Sequence, residues 1–211
     1  MNQQPIISPD TTRKNRIPPF QIETRKWPIL HVGQVPEYSL DHWDFRILPS
    51  PQIIGTKKWN WSEFCELPRI RVFADMHCVT RWSKLDNLWE GVSTKELLNH
   101  IQLTDKARYV MIHCEFGFST NLPVKYFFDE DCLLAMKHNE ETLSPDHGFP
   151  LRLVIPKLYA WKSAKWVRAI EFMEEDRPGF WENWHNGGYH MLGDPWVVND
   201  QHPHGQRFRE E

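Results

Sequence analysis

The chain has 211 residues and a formal charge of −3, with 40% hydrophobic and 25% charged residues. That length suits one domain with a single core, and the near-neutral balance excludes a general attraction to nucleic acid or anionic membrane. Cys65, Cys78, Cys114 and Cys132 form neither a C-x-x-C pair nor a zinc-finger spacing, which suits a reducing compartment. No run reaches the length of a membrane span, and the N-terminus lacks an apolar signal core or twin arginine. A soluble, cytoplasmic protein is therefore expected.

In chain order, residues 1–19 are polar and proline-bearing without a period, which predicts a mobile arm. Phe20 to Gly33 reads as an extended entry held by Trp27, Ile29 and Leu30, since Pro28 excludes a helix. His42 to Trp59 predicts two strands around a turn at Pro49 to Pro51, and a short helix from Ser62 stops at Pro68. From Arg69 the pattern sharpens: Ile70, Val72, Ala74, Met76 and Cys78 alternate with Arg69, Arg71, Asp75 and His77, the period of a strand with one buried face. Thr80 to Asp86 then reads as a polar loop.

Ser93 and Glu96 suggest a capping box for a helix over Thr94 to Ile101. Ala107 to Glu115 is a strand with Val110, Ile112 and Cys114 inward, Gly117 to Pro123 a loop, and Val124 to Phe128 a short helix. Cys132 to Leu143 predicts two strands with a turn near Asn139. Leu151 to Leu158 is nearly all apolar and reads as a strand buried on both faces. Trp166 to Glu174 is a last strand, and residues 200–211 form a polar tail. The mixture gives an α+β fold of mixed β-sheets with few short helices, one domain over 20–199.

Candidate chemistry begins at Cys78, which ends an inward row where the chain leaves the sheet. A buried small hydrophobe and an anchored ligand are both open there. Arg81 and Lys84 nearby would favour the thiolate, the form that binds metal or attacks an electrophile. Arg152 sits inside an apolar run, where its guanidinium needs a carboxylate or phosphate partner. Tyr159 to Trp166, YAWKSAKW, places Ser163 and Ala164 between Lys162 and Lys165, which is either a phosphate cradle or a solvated face. His31 alone reads as a structural histidine. His185, His190 and the HPH run at His202 to His204 lack carboxylate or cysteine neighbours and read as tail residues.

Taken together, four stretches narrow these alternatives. His31, then Cys78-Val79-Thr80-Arg81-Trp82-Ser83, then Asp146-His147-Gly148-Phe149-Pro150-Leu151-Arg152, then Lys162-Ser163-Ala164-Lys165-Trp166 follow one another in this order. That succession resembles the catalytic domain of the sulfite oxidase family, the molybdopterin-dependent oxidoreductases, from about Trp27 to Phe180. The nearest branch is the small bacterial sulfite oxidase-like proteins without a haem or dimerisation domain.

The resemblance implies that Cys78 is the one protein ligand of molybdenum, with a pterin dithiolene and oxo or hydroxo groups completing the shell. It places His147 and Arg152 against the pterin and its phosphate, and Ser163, Ala164 and Lys165 around that phosphate. His31, with Leu30 beside it, matches the N-terminal pterin contact, and Cys114 occupies a further cofactor-contact position. Two departures concern substrate. The family's arginine two positions before the histidine is Ile29 here, and its D-Y-x-G-F tyrosine is Arg177. These point away from sulfite and leave Arg81, Trp82 and Arg177 as candidates for the substrate pocket.

The implied activity is oxygen-atom or electron transfer on a small oxo-substrate, with a separate electron-transfer partner, because no haem, flavin or iron–sulfur motif is present. A monomer is the simplest assembly compatible with this reading. The alternatives are a molybdopterin-fold binding or interaction module without catalysis, and a cysteine-nucleophile enzyme using Cys78 with His147.

Overall fold

The computed structural model describes residues 4–183 and 193–196. Five short strands come first: β1 (Ile6–Ile7), β2 (Ile22–Glu23), β3 (Asp44–Ile47), β4 (Ile53–Ile54) and β5 (Lys57–Asn60). Helix α1 (Trp61–Cys65) is capped by Asn60, whose side chain accepts from the Glu63 amide while the Glu63 carboxylate reaches back. The long strands β6 (Arg69–His77) and β7 (Trp82–Ser93) follow, then β8 (Gln102–Leu103), β9 (Tyr109–Cys114) and β10 (Ser119–Pro123). Helix α2 (Val124–Phe127) leads to β11 (Leu133–His138), β12 (Glu141–Thr142), β13 (Arg152–Val154) and β14 (Val167–Met173).

One sheet runs β1-β6-β7-β11-β12, with β13 added to β11 and β2 to β7; a second runs β10-β9-β14-β3-β5, and β4 pairs with β8 apart from both. Phe45, Ile112 and Phe172 of the second sheet share one buried cluster with Val92, Leu134 and Leu153 of the first. The other face of the first sheet buries Val72, Ala74, Met76 and Trp89 against Trp27 and Phe149. A sheet covered on both faces explains why β6 and β11 carry so few exposed apolar side chains. Among the described residues no helix is long and apolar enough to cross a membrane.

Several expectations need correction. The N-terminal segment is no free arm: β1 pairs in parallel with β6, Ile6 opposite Val72, and Ser8 donates to Asp131 at 2.6 Å. Arg16 forks onto Asp75 and reaches Asp86, which is how a carboxylate on the expected outer face of β6 comes to be buried. His77, on the same row, is fully buried too. The polar loop after Cys78 is only a turn, because β7 begins at Trp82 and re-pairs at once with β6. Three strands rather than two lie between His42 and Trp59, and Gly117 to Pro123 is mostly β10, paired along β9. Thr94–Asn99 is a 3-10 helix whose cap, Ser93, accepts from the Lys95 amide without Glu96. β13 is short because Pro156 ends the run, although Leu151 to Pro156 is buried throughout. Ile29 and Leu30 are half exposed, so of the three side chains expected to hold the entry segment only Trp27 packs inward. The expected tail and its histidines lie outside the described residues.

Candidate cofactor cavity and active site

The β6–β7 turn is built around Cys78. Its amide donates to the Trp82 carbonyl and its carbonyl accepts from the Arg81 amide, both at 2.9 Å. Arg81 closes the turn at φ +72°, in the left-handed region. Gln21 also donates to the Cys78 carbonyl, at 3.0 Å, so the backbone is tied from two sides. The side chain is 5% exposed and packs with Val79 and Tyr159. Burial pushes the thiol pKa up, and the Thr80 hydroxyl, 3.2 Å from Sγ, opposes that shift. The expected cationic help is missing: Lys84 bonds to Asn87, and Arg81 Nη2 is buried without an acceptor among the described residues. This is a neutral thiol, the state from which a bound metal displaces the proton.

Cys78 opens onto a cavity of about 380 Å³ whose walls also include Leu30, His31, His147, Arg152, Ser163, Ala164 and Lys165. Four segments distant in sequence therefore meet in one space. Away from the sulfur, the cavity is an anion site by chemistry. Arg152 is 3% exposed and has no carboxylate partner among the described residues; Nη1 donates to the His147 carbonyl and Nη2 to the Ser163 carbonyl, both at 2.9 Å. Its guanidinium lies over the Trp27 and Trp89 rings at 5.2 and 5.4 Å, and Nε finds no acceptor among the described residues. Among the described residues no carboxylate meets that expectation, and burial pulls the Arg152 pKa down.

Lys165 Nζ donates to the carbonyls of Leu30 and Asp146, each at 2.8 Å. Burial, then the nearby Arg152 charge, lowers its pKa to about 7. The amides of Ala164, Lys165 and Trp166 donate to nothing among the described residues, while the Ser163 hydroxyl accepts from the Ile155 amide at 3.0 Å and fixes the turn. His147 stacks on Trp27 at 3.8 Å and bonds through Nδ1 to Ser144, and burial lowers its pKa. Gly148 (φ +110°) allows the close approach: a Cβ there would stand 3.0 Å from the Arg152 Cβ and 3.2 Å from the Lys165 Cβ. His31 and Leu30 are exposed at the mouth.

Other expected site residues fall elsewhere. Cys114 is buried in the main core and is not part of the wall, and burial raises its pKa strongly. Neither Arg81 nor Arg177 lines the cavity, whereas Trp82 does. Arg177 pairs with Glu171 at 2.5 Å, a carboxylate already held by His113. Lys162, read as a source of charge for the cradle, is instead buried against Glu182 at 2.5 Å and Asn121. Sequence reasoning missed Trp27, Thr80, Glu115, Phe116, Phe118 and the Phe180–Trp181 pair, all on the wall. The tryptophan-rich stretches around Trp161 and Trp181 were the available signal.

A thiol and a cationic cradle in one cavity, on this mixed-sheet scaffold, define a domain suited to binding an anionic group. The chain belongs to the oxidoreductase molybdopterin-binding domain family, whose model matches residues 32–181; it is a molybdopterin-dependent oxidoreductase of the sulfite oxidase family. It is 44% identical over 188 residues to the oxidoreductase YuiH of Bacillus subtilis, covering 87% of this chain and 91% of that protein. It is 24% identical to the protein-methionine-sulfoxide reductase catalytic subunit MsrP of Campylobacter jejuni, over 84% of this chain and 64% of that protein. The sulfane dehydrogenase SoxCD of Paracoccus pantotrophus shares the fold, with a TM-score of 0.60 at 18% identity, over 67% of this chain and 40% of that one.

The family's cofactor is molybdenum held by molybdopterin. The residues present suit it. Among the described residues Arg152 and Lys165 form no ion pair and the Ala164–Trp166 amides meet no acceptor, and the thiol lines the same cavity. Among the described residues no cluster of three or more His, Cys, Asp or Glu could hold a metal ion.

Proposed function

We propose that this chain transfers an oxygen atom or an electron pair between a small oxo-substrate and a separate electron partner at a molybdenum ion ligated by Cys78. One observation carries the reading: the Cys78 sulfur and the side chains of His147, Arg152 and Lys165 line a single cavity. Bound there, the molybdenum centre supplies the two-electron redox chemistry. The chain's own contribution is to bind, orient and exclude water.

Arg152 and Lys165, with the Ala164–Trp166 amides, hold the phosphate of the pterin. His147, fixed by Ser144 and stacked on Trp27, orients the ring system, and Leu30 and His31 flank the mouth. Phe116, Phe118, Phe180 and Trp181 line the remaining wall together with the Glu115 carboxylate. With Ile29 exposed and Arg81 and Arg177 off that wall, an incoming oxyanion meets, among the described residues, no cation on the wall beyond those that hold the phosphate. This supports an uncharged oxo-substrate over sulfite. The name of MsrP describes reduction of a sulfoxide, one such uncharged oxide.

The test is metal analysis and pterin fluorescence on protein made in a host that synthesises the cofactor. Wild type should carry molybdenum, and Cys78→Ser should lose at least about a hundredfold in turnover, beyond the 10–100-fold typical of outer-shell changes. Background metal in wild type would sink the reading, as would a Cys78→Ser protein that keeps both metal and turnover.

A further inference from the structure

Thr80 stands two residues beyond Cys78, at the outside of the β6–β7 turn, exposed and on the cavity wall. Its Oγ1 donates to the Cys78 sulfur at 3.2 Å. The turn leaves it little choice: the Cys78 amide and carbonyl are both engaged, and Arg81 is committed to its left-handed conformation. The backbone amides of Val79 and Thr80 also face the sulfur, and the remaining neighbours are the Val79 and Tyr159 side chains. Thr80 is thus the side chain placed to hydrogen-bond the proposed metal ligand.

We propose that Thr80 is a positioning residue that tunes the molybdenum centre through a hydrogen bond to the Cys78 sulfur, an inference that rests on the ligand role proposed above. A donor to a metal-bound thiolate withdraws charge from the sulfur, weakens its donation and favours the reduced metal. A hydroxyl has one proton, so a Thr80 that donates to sulfur can only accept from whatever enters the cavity. It therefore offers an incoming oxide no hydrogen bond, and a protonated group or water can bond to it without breaking the sulfur contact.

The experiment is a redox titration of the Mo(V) signal in molybdenum-loaded wild type, Thr80→Val and Thr80→Ser. A net hydrogen bond corresponds to an about two- to tenfold change in an equilibrium. Thr80→Val should lower the reduced-to-oxidised ratio at a fixed ambient potential by that factor, and Thr80→Ser should restore it. On wild type alone, the metal–sulfur stretching frequency should move on transfer to D2O, a measurement that needs no variant to fold. Metal-loaded Thr80→Val with the wild-type ratio, or a stretch insensitive to D2O, overturns this inference and leaves the ligand role standing. Wild type without molybdenum overturns both.

Discussion

Arg152 sets the terms at the scale of the residue. A guanidinium in an apolar strand ordinarily needs a carboxylate, because desolvation of an unpaired ion costs more than a strand gains from one side chain. Here two carbonyls and two indole faces hold it while Nε stays unpaired. Such a site is completed by an anion. Replacing Arg152 with Met should therefore separate two properties that usually fall together. Cofactor affinity should drop by about 10- to 100-fold, the worth of one or two charge-assisted hydrogen bonds. Stability of the cofactor-free protein should stay within about 1 kcal/mol of wild type, since the lost carbonyl bonds are offset by removing a buried unpaired charge. Denaturant unfolding of the cofactor-free form and cofactor retention on gel filtration check the two arms. Loss of several kcal/mol in the cofactor-free form would mean that Arg152 serves the core rather than an anion.

Between elements, the β7–β11 seam holds the first sheet together and so holds the Cys78 turn at its end. Gly91 faces Ala135 across that seam, and a Cβ on it would stand 2.1 Å from the Leu134 carbonyl oxygen and 2.7 Å from the Ala135 Cα. Backbone cannot give way as a flexible side chain does. Gly91→Ala should cost about 1–3 kcal/mol or more, seen as a lower urea midpoint with an unchanged slope; an unmoved midpoint would contradict this seam. The same scale decides what could be read beforehand. Strands β6 and β9 announce themselves because each repeats an apolar residue at every second position against a continuous core. Two-residue strands such as β1 and β2 have no period to show, since pairing with β6 and β7 makes them strands. β10 was hidden by Gly117 and Pro123 at its flanks, although β9 beside it supplies a full ladder. At the site, residues in the His147–Arg152 and Lys162–Trp166 motifs were legible from their resemblance to a family. The walls were not: nothing local to Phe116 or Phe180 says which cavity they will face. Arg81 shows the converse, because nearness to Cys78 in sequence does not decide on which side of a left-handed turn a side chain leaves.

The whole molecule joins these scales through one uncompensated charge balance. A cavity built from the N-terminal entry, the β6–β7 turn and two downstream turns brings Arg152 and Lys165 together, neither of them ion-paired among the described residues, so folding alone leaves like charges near each other. Burial and Arg152 hold Lys165 near a pKa of about 7, below the ordinary lysine value of 10.5. Between those values the unfolded chain binds a proton that the folded chain does not, so the stability of the cofactor-free protein should rise with pH across that window. Below about pH 7 both states are protonated and the cost of the buried charge is fully present. An anion reverses the sign, because it binds best when Lys165 carries its proton. Inorganic sulfate, whose charge is constant over this range, should therefore raise the melting temperature of the cofactor-free protein more at pH 6.5 than at pH 8.5. At tenfold its dissociation constant, linkage gives about 1.4 kcal/mol, or about 3–5 °C for a chain of this size. General exclusion of sulfate from protein surfaces also stabilises, but it does so in any variant. The pH-dependent part should therefore vanish in an Arg152→Met, Lys165→Met protein while the general part stays. A shift that is the same at both pH values, or that survives intact in the double variant, would show that these two cations do not form the anion site on which the cofactor reading rests.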